Sequence, residues 1–242
     1  MKRCTRCILP ETFPNIEFDA EGVCQYCRML PPIEERLAQK KHLHAQLEKL
    51  IGKIRQQPGY HCLVAWSGGK DSTYAIWLLK QHYHLNVLSF TLDNSFISDV
   101  ALKNIRLVAE RLNLDHITVK PRFKLIKKLF TAAINGPLYA PQTLNHVSNL
   151  CLTRAMLTEI IALRITLELG IPLLTYGWLP GQFPLDTAFQ RTTREILQGN
   201  INKAKASLGK VAGPEIEDLF PRSHALKKNA HLSCHCSPSG FA

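Results

Sequence analysis

The sequence of 242 residues lacks any long hydrophobic run. No stretch of about 18 consecutive apolar residues occurs, which argues against a membrane-spanning helix. The first residues, Met1-Lys2-Arg3-Cys4, contain no apolar segment of the kind that marks a secretory signal peptide. Internal repeats and long low-complexity tracts are absent as well. We therefore expect a cytoplasmic protein without membrane insertion.

Acidic residues are scarce relative to basic ones. The chain has 19 Asp and Glu against 30 Lys and Arg, a formal net charge of +11. Such an excess favours polyanionic partners, such as nucleotides, nucleotide-activated sugars or RNA. The basic residues are scattered, however, so a solvated basic surface explains the charge equally well. The densest cluster, residues 120–128, is as typical of an amphipathic helix as of an RNA-binding patch.

Without a signal peptide, the eight cysteines are not expected to form disulfides. Four of them form two C-x2-C pairs with sixteen residues between the pairs: Cys4, Cys7, Cys24 and Cys27. This spacing predicts a four-cysteine Zn²⁺ site, because each tight pair directs two sulfurs at one ion. Four thiolates leave no open position, so the ion would be structural, stabilising a segment with few apolar residues. An iron–sulfur cluster is the alternative.

Proline and helical periodicity divide the chain. Pro31-Pro32 ends the cysteine segment, residues 33–56 show helical spacing of leucines, and Pro58-Gly59 ends that helix. We predict four parts: a zinc knuckle (1–32), a linker helix (33–58), a main domain (59–220) and an irregular tail (221–242). The tail contains Cys234 and Cys236, whose single intervening residue is poor geometry for a zinc pair, and we expect it to be disordered.

In the main domain, residues 64–80 read VAWSGGKDSTYAIWLLK. A buried strand ends at Trp66, and a helix with an apolar face begins near Lys70. Adjacent glycines at such a turn let backbone N–H groups approach a ligand, and the helix N-terminus adds partial positive charge. The segment is not a Walker A loop, because Lys70 is followed by Asp71, and it contains no G-x-G-x-x-G. It predicts an anion-binding turn.

The string SGGKDS, residues 67–72, resembles the signature of the PP-loop (N-type) ATP pyrophosphatases, which split ATP between the α and β phosphates. The resemblance implies that pyrophosphate is held by Ser67, Gly68, Gly69, Ser72 and Thr73. It further implies that Lys70 neutralises phosphate charge and that Asp71 is the carboxylate linked to Mg²⁺. The two catalytic candidates are therefore Lys70 and Asp71, with ATP and Mg²⁺ as cofactors.

Strand and helix patterns alternate through the main domain, which predicts an α/β fold with a doubly wound parallel sheet. The resemblance implies the HUP (adenine nucleotide α-hydrolase-like) version of that fold. A second strand ends at Asp93 and Asn94, where a ribose or adenine contact is expected; the alternative is a helix cap. Another strand ends at Gly177, and the following turn presents Gln182 and Asp186, either to the nucleotide or as an ordinary surface turn.

Some PP-loop sulfur-transfer enzymes carry paired cysteines near the position of Cys151. Here the residue at the partner position is Arg154. This departure weakens a cluster-dependent sulfur-transfer interpretation, and we expect Cys151 to be buried and inert.

The cysteine knuckle, linker helix and SGGKDST together resemble the N-acetyl sugar amidotransferase branch of the PP-loop family, over residues 1–180. That branch implies adenylation of a sugar of a surface-polysaccharide pathway, with ammonia from a separate glutaminase, because no glutaminase nucleophile pattern is visible here. Two alternatives stay open: tRNA thiolation, with tRNA as partner, and a non-catalytic interaction module. Each of these three functions is compatible with a homodimer.

Overall fold

The computed structural model describes residues 1–140, 144, 147–177 and 192–222. The polypeptide forms two compact units, Met1–His42 and a second that starts at Leu43. The predicted domain boundaries at 32, 58 and 220 stay predictions.

The first unit contains little regular structure. Its short helix α1 is Gln25–Arg28, and isolated antiparallel bridges join Arg3 to Pro10 and Phe18 to Cys24. The bridge between Phe18 and Cys24 is closed by a turn, in which Asp19 Oδ1 accepts hydrogen bonds from the N–H groups of Glu21 and Val23. Such a turn needs few apolar residues to hold its conformation.

Helix α2 is Ile33–Ile54. Its residues in the second unit bury one face at regular helical spacing: Leu43, Leu47, Ile51 and Ile54.

Parallel strands and helices alternate in the rest of the second unit. The strands are β1 (Cys62–Ala65), β2 (Val87–Leu92), β3 (Asp115–Val119) and β4 (Leu173–Tyr176). The helices are α3 (Lys70–Trp77), α4 (Asp99–Leu112), α5 (Phe123–Asn135), α6 (Asn149–Leu169) and α7 (Arg194–Ala212). A π-helical turn, Leu78–His82, continues α3, and a 3-10 helix, Gly213–Leu219, follows α7.

All four strands pair in parallel, in the order β3-β2-β1-β4. Alternate strand residues enter two separate hydrophobic cores, because successive side chains point to opposite faces of a sheet. Leu63 of β1 packs in a core with residues of α5, α6 and α7. Its neighbours Cys62 and Val64 pack in a second core with residues of α2, α3 and α4. The predicted α/β fold with helices on both faces of a parallel sheet is confirmed.

Side-chain caps mark where α4 and α6 begin. Ser98 Oγ accepts a hydrogen bond from the N–H of Ala101, and Ser148 Oγ accepts one from the N–H of Cys151. Cys151 lies in the first turn of α6 and is exposed. The prediction that Cys151 is buried is therefore wrong.

None of the helices in the described ranges combines the length and hydropathy that a bilayer crossing requires.

Candidate functional site

The strand order creates a crevice at the carboxyl edge of the sheet. From β1 the chain proceeds to β2 and then β3 on one side, and it later places β4 on the other side of β1. Where the direction of winding reverses in this way, the loops after the two adjacent strands β1 and β4 diverge and leave room for a ligand. The loop after β1 contains the SGGKDS string, and Gly177 follows β4 directly.

Two glycines allow the loop to pack tightly. Gly68 has a positive φ of 77°, and a Cβ atom there would lie 2.7 Å from the carbonyl oxygen of Ala101. A Cβ atom on Gly177 would lie only 2.3 Å from Cα of Ser72. The end of β4 therefore touches the start of α3 backbone to backbone, which no other residue type permits at position 177.

Hydroxyl groups and backbone amides converge inside this loop. Ser67 Oγ lies 3.1 Å from Ser72 Oγ, and the N–H of Gly69 donates to Ser67 Oγ at 3.4 Å. Gly69 is the N-cap of α3 but offers no side chain, so no side chain caps the first N–H groups of that helix. Uncapped N–H groups with nearby hydroxyls form a site suited to phosphate or another oxyanion.

Buried hydrogen bonds anchor the loop to the sheet. Trp66 Nε1 donates to Thr73 Oγ1 at 3.0 Å, and Thr91 Oγ1 donates to the carbonyl oxygen of Trp66 at 2.7 Å. Thr73 is thus occupied in holding α3 against β1, a role that the sequence motif does not reveal.

The loop forms one wall of a cavity of about 440 Å³. Six of the predicted site residues line it: Ser67, Gly69, Asp71, Ser72, Asn94 and Gly177. Four others do not contribute to its lining, namely Gly68, Lys70, Thr73 and Asp93. The structure thus brings predicted residues from three strand ends to one cavity. Gln182 and Asp186 lie outside the described residues, as do Cys234 and Cys236.

Two predicted residues instead form ion pairs. Lys70 Nζ lies 2.8 Å from Asp71 Oδ1, and 84% of the Lys70 side chain is exposed. Asp93 Oδ2 lies 3.0 Å from Lys120 Nζ. Burial raises the pKa of Asp93, but the hydrogen bonds from Lys120 and the Ser95 N–H outweigh it, so the pKa is lowered overall. The ionised Asp93 therefore links the end of β2 to the end of β3 through its ion pair with Lys120.

Sequence reasoning missed several residues of the cavity. Arg154 and Thr158 line it from α6, and Phe96 lines it from the segment after β2. The side chain of Tyr176 also lies there, and burial together with the nearby Glu159 raises its pKa well above the usual value. No sequence motif marks these positions as site residues. The one signal in the sequence is the spacing of residues 154 and 158 on α6, because residues four apart share a face of a helix.

The four N-terminal cysteines form a second candidate site, in the first unit. Their sulfur atoms all lie within 4.8 Å of one another. The Cys4 and Cys27 sulfurs are 3.9 Å apart, and those of Cys7 and Cys24 are 3.6 Å apart. Four sulfurs bound to one zinc ion at about 2.3 Å would be about 3.8 Å apart, so the cluster fits a tetrahedral ion. The predicted metal-ligand set is thus assembled in a group that could hold a metal ion.

Backbone amides favour the thiolate form of Cys4. Burial raises the pKa of this thiol, but backbone hydrogen bonds from Cys7, Cys24 and Arg6 outweigh it and bring the pKa to about 6. Burial and the neighbouring thiols raise the pKa of Cys27 to about 12. Cys27 would therefore need a nearby cation to be deprotonated at neutral pH, as a bound metal would provide.

Fold and sites define an α/β protein with a Gly-rich loop suited to an oxyanion at the carboxyl edge of a parallel sheet, and with a separate four-cysteine cluster. No family model matches the sequence. The chain is 30% identical over 118 residues to an uncharacterized protein of Methanocaldococcus jannaschii. The match covers 47% of this chain and 40% of that protein, so the chain spans well under two thirds of its relative.

Two solved structures are similar at a distance. One is an NH3-dependent NAD synthetase from Campylobacter jejuni in complex with nitrate: TM-score 0.39, 12% identity, covering 59% of this chain and 56% of that one. The other is the U34-tRNA thiolase NcsA from Methanococcus maripaludis with its 4Fe–4S cluster: TM-score 0.39, 16% identity, covering 98% and 75%. Similarities this distant assign no activity to the chain.

Proposed function

We propose that this chain is an ATP-dependent adenylating enzyme of the PP-loop type, which releases AMP and pyrophosphate. One observation supports it most: the SGGKDS loop lies at the switch point of the sheet, with its hydroxyls and uncapped helix N–H groups at a single cavity. A leaving pyrophosphate gains negative charge, and preoriented donors stabilise that charge in the transition state.

The cavity suits a nucleotide in size and polarity. Its volume of about 440 Å³ is within the range of small-molecule sites. The lining also includes apolar residues on and just after β2, namely Phe90, Leu92, Phe96 and Ile97. We place the phosphates at the loop and the adenine near Phe96, which is 65% exposed. We place the ribose at Asn94, which also lines the cavity.

In the reaction, an oxygen of the acceptor attacks the α-phosphate, and the bond between the α and β phosphates breaks. Ser67, Ser72 and the Gly69 N–H hold the departing pyrophosphate. Asp71 would hold Mg²⁺, which neutralises the phosphates. Lys70 is bound to Asp71 in this structure and would turn to the phosphates, which its exposure allows.

For the acceptor, we propose an N-acetyl sugar of a surface-polysaccharide pathway, with ammonia from a separate glutaminase displacing AMP. The support is the order of the cysteine cluster, helix and SGGKDST loop in the sequence. We assign the cysteine cluster to Zn²⁺, since its sulfur spacing suits one ion, whereas the cysteines of a four-iron cluster bind different iron atoms.

Product analysis tests the reaction. Purified protein is incubated with ATP, Mg²⁺, ammonium and nucleotide-linked N-acetyl sugars. AMP and pyrophosphate should form in equal amounts, and Asp71→Asn should lower their rate by about 100-fold or more. Asp99→Asn, in the first turn of α4, is the matched control and should keep the rate. ADP and phosphate as products would contradict the proposal.

A second candidate, tRNA thiolation, is favoured by the exposed thiol of Cys151, which lies on the same helix as the cavity residue Arg154. Under this alternative, tRNA would be adenylated and the outer sulfur of a Cys151 persulfide would displace AMP, forming a mixed disulfide between Cys151 and the tRNA. An external thiol would then reduce that disulfide and release the thiolated tRNA. Thionucleosides should then be missing from the tRNA of a strain that lacks this gene. The wild-type gene should restore them, whereas the Cys151→Ser variant should not. If the Asp71→Asn variant also restores the thionucleosides, the result would instead favour the non-catalytic interaction module.

A further inference from the structure

Arg154 lies at the cavity but has no role in the proposed chemistry so far. It is exposed, and it lines the cavity together with Thr158, one helical turn further along α6. The hydroxyl of Thr158 donates to the backbone carbonyl of Arg154 at 2.9 Å. Within the described ranges, the Arg154 guanidinium forms no ion pair, in contrast to Arg164 on the same helix, which pairs with Glu168.

The charge of the lining makes this guanidinium distinctive. Among the described residues that line the cavity, Arg154 is the one basic residue and Asp71 is the one acidic residue. Lys70, the cation that the motif supplies, is paired with Asp71. A cavity that binds phosphates benefits from a cation in its lining, because the oxyanions lose hydration on entering. Arg154 supplies that cation from α6, whereas the anion-binding amides come from α3.

We propose that Arg154 binds a phosphate oxyanion of the nucleotide, from α6 rather than from the SGGKDS loop. A guanidinium presents paired N–H donors that match two oxygens of one phosphate, and it keeps its charge at every physiological pH. The oxyanion is either the α-phosphate, retained in AMP, or a phosphate of the departing pyrophosphate. This inference rests on the proposed function and extends it to a residue outside the motif.

Position 154 also distinguishes this chain from proteins with paired cysteines at this point. A thiolate there would carry the opposite charge and would repel a phosphate, whereas arginine attracts it.

Calorimetric titration with pyrophosphate and with AMP, both in the presence of Mg²⁺, separates the two sources. Arg154→Ala should weaken the binding of one of them by about 10- to 100-fold, the loss expected for a hydrogen-bonded ion pair. A loss for AMP identifies the α-phosphate, and a loss for pyrophosphate identifies the leaving group. Arg154→Lys should recover only part of the affinity, because an ammonium cannot bind two oxygens in the same way.

Arg111→Ala removes the same charge from the last turn of α4 and serves as the control. Its affinities for pyrophosphate and AMP should equal those of the wild type. The comparison thus controls for the general effect of losing one positive charge. If Arg154→Ala binds both ligands as tightly as the wild type does, the role of Arg154 is refuted while the proposed function stands. If the wild type binds neither ligand, the proposed function fails and this inference fails with it.

Discussion

At the scale of single residues, Gly177 shows how the site depends on backbone contact. A Cβ atom there would overlap Cα of Ser72 at 2.3 Å. Backbone cannot move aside as a flexible side chain can, so Gly177→Ala should displace the start of α3 from the end of β4. We expect a loss of about 1–3 kcal/mol in the free energy of unfolding, the usual effect of overpacking. Pyrophosphate should also bind at least tenfold more weakly, because Ser72 moves with the helix.

Gly209 on α7 provides the matched control. A Cβ atom at this position meets nothing within 4 Å, and its backbone is helical. Gly209→Ala should therefore stabilise the protein by up to about 1 kcal/mol through helix propensity and leave ligand binding unchanged. Urea denaturation and pyrophosphate titration measure both quantities. Unchanged pyrophosphate affinity in Gly177→Ala would show that the backbone contact does not position the loop.

At the scale of elements, the ion pair between Asp93 and Lys120 joins the end of β2 to the end of β3. The pKa of Asp93 is lowered in the folded protein, so its contribution to stability is present above the unfolded pKa of about 3.9. That contribution is lost as the pH falls through the lower folded-state pKa. Its size should be about 1 kcal/mol or less, because Lys120 is largely exposed.

Asp93→Asn should therefore be less stable than the wild type at pH 7, and the difference should shrink as the pH falls below about 4. Urea denaturation at several pH values measures this convergence. Glu110→Gln on α4 serves as control, since Glu110 is exposed and forms no ion pair among the described residues. A stability difference that stays constant down to pH 2 would show that the Asp93 carboxylate is not the group responsible.

Secondary-structure elements also show what the sequence predicts and what it does not. The end of strand β2 and the start of helix α3 follow from local sequence patterns. The strand was predicted to end at Asp93 and Asn94 and ends at Leu92, and the helix begins at Lys70, as predicted. The strand order depends on pairing between segments far apart in the chain, which periodicity does not encode. The same limit applies to the site: the SGGKDS loop is local, whereas the presence of Arg154 at the cavity depends on how α6 packs against the sheet. The exposure of Cys151 depends on that packing too.

At the scale of the whole molecule, the two units differ in what stabilises them. The second unit has two hydrophobic cores, one on each face of its sheet. In the first unit, the buried apolar residues among those described are three cysteines, Cys4, Cys24 and Cys27. A segment with so little apolar burial cannot offset the conformational entropy of its chain. We therefore expect a metal ion bound by the four cysteines to supply much of the folding free energy of this unit.

Metal removal should consequently unfold the first unit and leave the second folded. Hydrogen exchange would show it: the Cys4 amide, bonded to the Leu9 carbonyl, should lose protection, whereas the Trp66 amide, bonded to the Phe90 carbonyl, should keep it. Cys24→Ser should reproduce the effect of a chelator, while Cys62→Ala, inside the sheet, should retain the metal. Elemental analysis should find one zinc per chain. Iron together with inorganic sulfide would show instead that the four cysteines hold an iron–sulfur cluster. Protection of Cys4 that survives metal removal would mean that hydrogen bonds and the few apolar side chains of this unit suffice to hold it.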